Sequence, residues 1–140
     1  LVLRIHDQVL NRRLAMKVLL ERRAPRDDEE RRLANQLLGR FLELVDGNTI
    51  VALASGLAGD EDALPIRTDA RVAGATIKAG ETAEYELGEG RYAYLVPATG
   101  KIAVNGVALN ARDGAAIREE KILRITAVQD AEIVLVDTAA

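Results

Sequence analysis

The 140-residue sequence carries 19 Lys/Arg against 22 Asp/Glu, a net charge of −3, and 49% apolar residues, the mixture of a folded soluble chain and not of a disordered one. It has no cysteine or tryptophan, one phenylalanine and three tyrosines, which excludes disulfides, thiolate metal sites and a cysteine nucleophile and predicts an aliphatic core with too few rings to stack single-stranded nucleic acid. No apolar stretch reaches membrane-spanning length and no signal peptide is visible, so the expected setting is the cytoplasm, away from any membrane.

Charge and composition divide the chain. Residues 1–45 hold ten Lys/Arg against seven Asp/Glu, and residues 46–140 hold nine against fifteen. Arg and Leu dominate the first part, while Gly, Ala, Val and Ile dominate the second. The sequence therefore predicts two units, an N-terminal appendage over 1–47 and a second segment over 48–140.

Residues 1–22 fit two descriptions. Leu14, Met16, Val18 and Leu20 alternate as in a strand, but the Leu/Met/Lys/Arg/Glu composition suits a helix equally well. The appendage is thus a hairpin or a helix in its first half. The run IHDQVLNRRLAMKVLLE resembles strands two and three of a bacterial serine/threonine kinase small lobe, with Leu14-Ala15-Met16-Lys17 matching the lysine motif and RFLE at 40–43 the start of the regulatory helix. The resemblance would make Lys17 a vestigial phosphate-binding lysine. Leu44 stands where the helix glutamate should pair with it, and no glycine-rich loop, H-R-D or D-F-G is present. Kinase chemistry needs those acidic groups, so kinase activity is excluded.

From 27 to 45 the spacing predicts an amphipathic helix. Leu33, Ala34, Leu37, Leu38, Phe41, Leu42 and Val45 form one stripe. Asp27 to Glu30 suit the N-terminal dipole, and Gly47 supplies the stop. The Arg pairs at 12–13, 22–23 and 31–32 alternate with acidic residues and read as a solvated face, not a nucleic-acid surface. The Leu33–Val45 stripe is expected to dock on the second segment or to pair with a second copy, giving a homodimer.

From Asn48 the period changes to short strands at 50–53, 70–77, 92–96, 101–104, 107–109, 115–117, 121–126 and 132–136, separated by Gly- and Asp-rich turns. The predicted fold class is mainly β, a jelly-roll barrel with the helical appendage. Asn105-Gly106 is the clearest hairpin turn, since both central residues of a type I′ turn need positive φ. Pro97 marks a bulge or an edge.

The stretches IRTDARVAGATIKAGE (66–81), YELGEGRYAYLVPATGKIAVNG (85–106), DGAAIREE (113–120) and AEIVLVD (131–137) resemble the C-terminal cupin domain of the pirin-like, quercetinase-type bicupins over about residues 49–138. In that family the metal lies in the N-terminal cupin on three His and a Glu, and the C-terminal cupin is its structural partner. The resemblance therefore implies a metal-free barrel without a cofactor. The one histidine, His6, lies outside the segment, so no His-rich metal site is expected.

Other chemistry finds little support. Gly59-Asp60-Glu61-Asp62 lacks calcium-loop spacing and reads as a solvated loop. Glu119-Glu120 cannot form a dyad on a strand, where neighbours face opposite ways. Ser55, the only serine, has no histidine partner for a triad. The barrel candidates for a small ligand are Tyr85, Tyr92 and Tyr94, with Arg91 and Arg118 as charges at a barrel mouth. The expected function is a non-catalytic structural or interaction module, a fragment or a chimera of two unrelated families. The first alternative is part of a metal-dependent dioxygenase whose catalytic cupin lies outside this chain. The second is small-molecule binding in the barrel.

Overall fold

A computed structural model describes residues 1–5, 32, 36 and 48–139. The expected helix over 27–45, the stripe Leu33–Val45, Lys17 and His6 lie outside these residues, apart from Arg32 and Gln36, which are helical and exposed. Among the described residues no helix is long and apolar enough to cross a membrane.

Eleven strands form the described fold: β1 (Val2–Ile5), β2 (Val51–Ser55), β3 (Leu64–Pro65), β4 (Ala70–Ile77), β5 (Thr82–Glu86), β6 (Arg91–Thr99), β7 (Ile102–Val104), β8 (Val107–Leu109), β9 (Gly114–Arg118), β10 (Ile122–Ala127) and β11 (Ala131–Ala139). They build a seven-stranded sheet, in the order β1-β9-β6-β11-β4-β2-β3, facing a four-stranded sheet, β5-β10-β7-β8. All pairs are antiparallel except β2 with β3. This is the jelly-roll arrangement that the close-set strands predict.

Alternation decides which side chains fill the space between the sheets. Along β11, Ile133 and Leu135 are fully buried in the main core, while Val134 belongs to a second cluster on the outer face of the large sheet. Ile77, Leu95, Ile102, Leu109, Ile117, Leu123 and Ile125 complete the interior, so the core is aliphatic as the composition predicts. Tyr85, 8% exposed, is the ring among the buried core residues.

Strands β1, β3 and β5 go beyond the sequence reading. In β5 the pattern Thr-Ala-Glu-Tyr-Glu alternates exposed and buried, a half-buried edge strand that the glutamates disguise. β1 pairs Val2 with Ile117 and Ile5 with Gly114, adding an edge to the large sheet.

The turns follow local chemistry. Asn105 and Gly106 have φ of 46° and 85°, the positive pair a type I′ hairpin needs. The Asn105 side chain also accepts a hydrogen bond from Arg124 N at 2.8 Å and donates one to Ile122 O at 3.1 Å, tying the turn to β10. Between β6 and β11 the register shifts near Pro97 and Thr99. That bulge accommodates the missing proline N–H in an otherwise central strand.

Candidate functional site

Polar side chains converge at one end of the barrel interior. Asp137 continues the inward phase of Ile133 and Leu135 on β11 and is 2% exposed. It lies opposite Arg71 of β4 and Ala93 of β6. The Tyr85 hydroxyl, reaching from β5 in the other sheet, donates to Asp137 Oδ2 at 2.6 Å. Arg91, at the start of β6, donates from Nε to Asp137 Oδ1 at 2.5 Å.

The network extends on both sides. Arg71 Nη1 donates to the Tyr85 oxygen at 3.0 Å, and its Nε and Nη2 grip Asp60 at 2.6 and 3.1 Å. Asp60 also accepts from Ser55 Oγ at 2.6 Å, and that hydroxyl in turn accepts from Leu57 N at 3.0 Å. At the other end Arg91 donates to the Asp69 carboxylate at 2.9 Å and to the Asp69 carbonyl at 3.3 Å. One line of partners thus runs Asp60–Arg71–Tyr85–Asp137–Arg91–Asp69.

The electrostatics follow from these contacts. Burial, then the hydrogen bond to the Asp137 carboxylate, pushes the Tyr85 phenol up to about 12. The Arg71 guanidinium holds Asp60 below the usual carboxylate range, against the effect of its burial. The Asp60 carboxylate raises Arg71 further above the ordinary arginine value. For Arg91 burial pulls downward, and the bonds to Asp137 and Asp69 overcome it.

Beside Arg71 lies a cavity of about 300 Å³ lined by Ile50, Ala52, Asp60, Arg71, Ala73 and Tyr85. Its polar wall consists of groups already bonded to one another. A phenol near 12 and two permanently charged guanidiniums supply no acid or base poised near neutral pH.

The donor set does not fit a metal. Asp60 and Asp137 each carry an arginine N–H within 2.6 Å, so a cation would have to displace a guanidinium that already neutralises its ligand. Among the described residues no group of three or more His, Cys, Asp or Glu comes together.

The sequence candidates divide in two. Tyr85 and Arg91 meet at Asp137. Tyr92, Tyr94 and Arg118, read as barrel residues, lie on the outer face, because Ala93 and Leu95 take the inward phase of β6. Tyr92 is 45% exposed and stands across from Arg118 in the register of β6 and β9, while Tyr94 packs against the outer cluster of Val72 and Val136. Asp60, expected in a solvated loop, is instead ion-paired. Sequence reasoning also missed Arg71, Asp137, Asp69 and Ser55. A signal existed for two of them, since Arg71 and Asp137 are charges in inward phases otherwise filled by apolar residues.

Residues 52–138 match the family described as the quercetinase C-terminal cupin domain. A pirin-like protein of Caulobacter vibrioides is 66% identical over 89 residues, covering 64% of this chain and 38% of its own length. A Pseudomonas aeruginosa protein assigned by name to the quercetin 2,3-dioxygenases is 58% identical over 89 residues, with the same coverage. The chain thus spans 38% of the length of these curated relatives. Among solved structures, the Escherichia coli pirin YhhW in complex with nickel(II) aligns with a TM-score of 0.60 at 23% identity, over 64% of this chain and 39% of YhhW.

Proposed function

Because this chain belongs to the quercetinase C-terminal cupin domain family through residues 52–138, we propose that it is the structural barrel of a pirin-like, quercetinase-type dioxygenase whose catalytic cupin lies outside it. The barrel itself performs no chemistry in this reading. Its role is to present a rigid packed body to a metal-bearing neighbour.

The observation that carries the reading is the pairing of both inward carboxylates. Asp137 and Asp60 are each neutralised by an arginine at hydrogen-bond distance, where a metal-bearing barrel would need free donors. The relatives' names support the dioxygenase context, and their greater length leaves room for a second barrel.

The test is oxygen uptake with quercetin by the purified chain after loading with iron, copper or nickel. The reading expects no uptake above the metal-only control. Catalytic uptake by this chain alone would overturn it.

A second reading, small-molecule binding in the barrel, rests on the cavity beside Arg71, whose size falls at the small end of ligand pockets. Thermal-shift screening with flavonols and small carboxylic acids checks it. A ligand there should raise the melting temperature of the wild type and not of Arg71→Leu.

A further inference from the structure

The turn between β7 and β8 holds the sequence's one Asn-Gly pair, Asn105-Gly106. Such a pair is chemically labile, because glycine has no side chain to keep its backbone nitrogen away from the preceding amide carbon. Both residues are exposed, and a Cβ on Gly106 would meet nothing within 4 Å. Water reaches the pair, so burial gives it no protection.

Hydrogen bonding does. Asn105 follows Val104, the last residue of β7, which pairs with Ile125 of β10. Its backbone N–H continues that ladder by donating to Arg124 O at 3.1 Å. A regular antiparallel pair would return the Arg124 N–H to the same residue's carbonyl. At Asn105 φ is 46° and the backbone turns away toward β8. Side-chain Oδ1 receives Arg124 N instead, at 2.8 Å, and Nδ2 donates to Ile122 O at 3.1 Å. The side-chain amide thus stands in for one more residue of β7.

This places the two groups that would react on opposite edges of one strand. In the small sheet β10 lies on one side of β7 and β8 on the other. The Asn105 amide is tied toward β10, whereas Gly106 leads into Val107 and β8. Ring closure between them requires the amide to leave both of its partners, which is a local opening of the hairpin end.

We propose that Asn105 is a deamidation site guarded by the closed hairpin, and that its conversion keeps the hairpin from closing as before. In the step, Gly106 N loses its proton to hydroxide and attacks Asn105 Cγ. The N–Cγ bond forms, the Cγ–Nδ2 bond breaks, and Nδ2 leaves as ammonia with a proton from water. Water then opens the cyclic imide. Breaking the new N–Cγ bond leaves aspartate, and breaking the bond from Gly106 N to the Asn105 carbonyl carbon leaves isoaspartate. No electrons are gained or lost. Aspartate sets a carboxylate oxygen against Ile122 O where a donor stood, and isoaspartate lengthens the backbone of the turn.

The test follows the mass gain of amide-to-acid conversion in the peptide spanning Asn105, with the full chain held at neutral pH either folded or unfolded in urea. Fragmentation of that peptide separates Asn105 from nearby Asn110. The folded chain should convert more slowly by roughly tenfold or more, the factor that two side-chain hydrogen bonds of ordinary strength supply. Equal rates, or faster conversion in the folded chain, would overturn the guard. The chain converted in urea and returned to buffer should melt below an unconverted chain taken through the same steps. An unchanged melting temperature would overturn the effect on the hairpin. Should the urea-treated chain not refold, Asn105→Asp made directly serves for that comparison, with the same two outcomes.

Discussion

Tyr85 and Asp137 come from opposite sheets of the barrel and meet at 2.6 Å, hydroxyl to carboxylate. This hydrogen bond joins the two layers at the end where the aliphatic core stops. Tyr85 also accepts from Arg71, so its single oxygen links one guanidinium to the carboxylate held by the other.

Tyr85→Phe should therefore cost more than a solvent-facing hydroxyl would. It removes a donor from a buried carboxylate and an acceptor from Arg71, a loss of about 1–3 kcal/mol. Tyr92→Phe, on the half-exposed outer face, should stay within about 0.5 kcal/mol. Urea midpoints of the two variants check the contrast.

Asp137→Ala should be the most damaging single change in the network. It leaves the Arg91 guanidinium and the Tyr85 hydroxyl facing an emptied site, at a cost of about 3–5 kcal/mol for an uncompensated partly buried charge. In an Arg91→Met background the same substitution should cost less, with a coupling of about 1–3 kcal/mol. A double-mutant cycle by denaturant unfolding measures it, and a coupling near zero would place the Arg91–Asp137 contact outside the stability of the fold.

Stability should fall at both ends of the pH scale. The Tyr85 phenol is pushed up to about 12 from 10.0, so its contribution is complete below pH 10 and lost as pH rises from there toward 12. Asp60 is held below 3.8, so its contribution is present above that value and lost as pH falls below it. Melting temperatures measured across pH should show both limbs. Tyr85→Phe should weaken the alkaline limb and leave the acid limb in place.

Two glycines with positive φ should respond differently to alanine. A Cβ on Gly100 would stand 2.2 Å from Asp130 O and 2.9 Å from Ala131 Cα, whereas one on Gly106 meets nothing within 4 Å. Gly106→Ala should cost only the left-handed backbone penalty, about 1–2 kcal/mol. Gly100→Ala adds a backbone collision and should cost clearly more. Paired denaturation curves decide the order.

The barrel was legible in the sequence wherever a strand has one wet face. Asn105-Gly106 announced its hairpin. β6 was harder, because Tyr94 packs on an outer cluster while Ala93 and Leu95 fill the core, and apolar residues on both faces erase the alternation. The polar network was illegible as a set, since Asp60, Arg71, Tyr85, Arg91 and Asp137 come from a loop and four strands that only the fold brings together. Tyr85 and Arg91 stood out singly, and Arg71 and Asp137 left a trace as charges where the inward phase called for apolar residues.

The most direct test of the account is metal content. The full chain is incubated with excess iron, copper or nickel, freed of unbound metal by gel filtration, and assayed by elemental analysis. With both inward carboxylates held by arginines, the account predicts far less than one metal per chain. Retention of one metal per chain, abolished by Asp137→Asn, would contradict it.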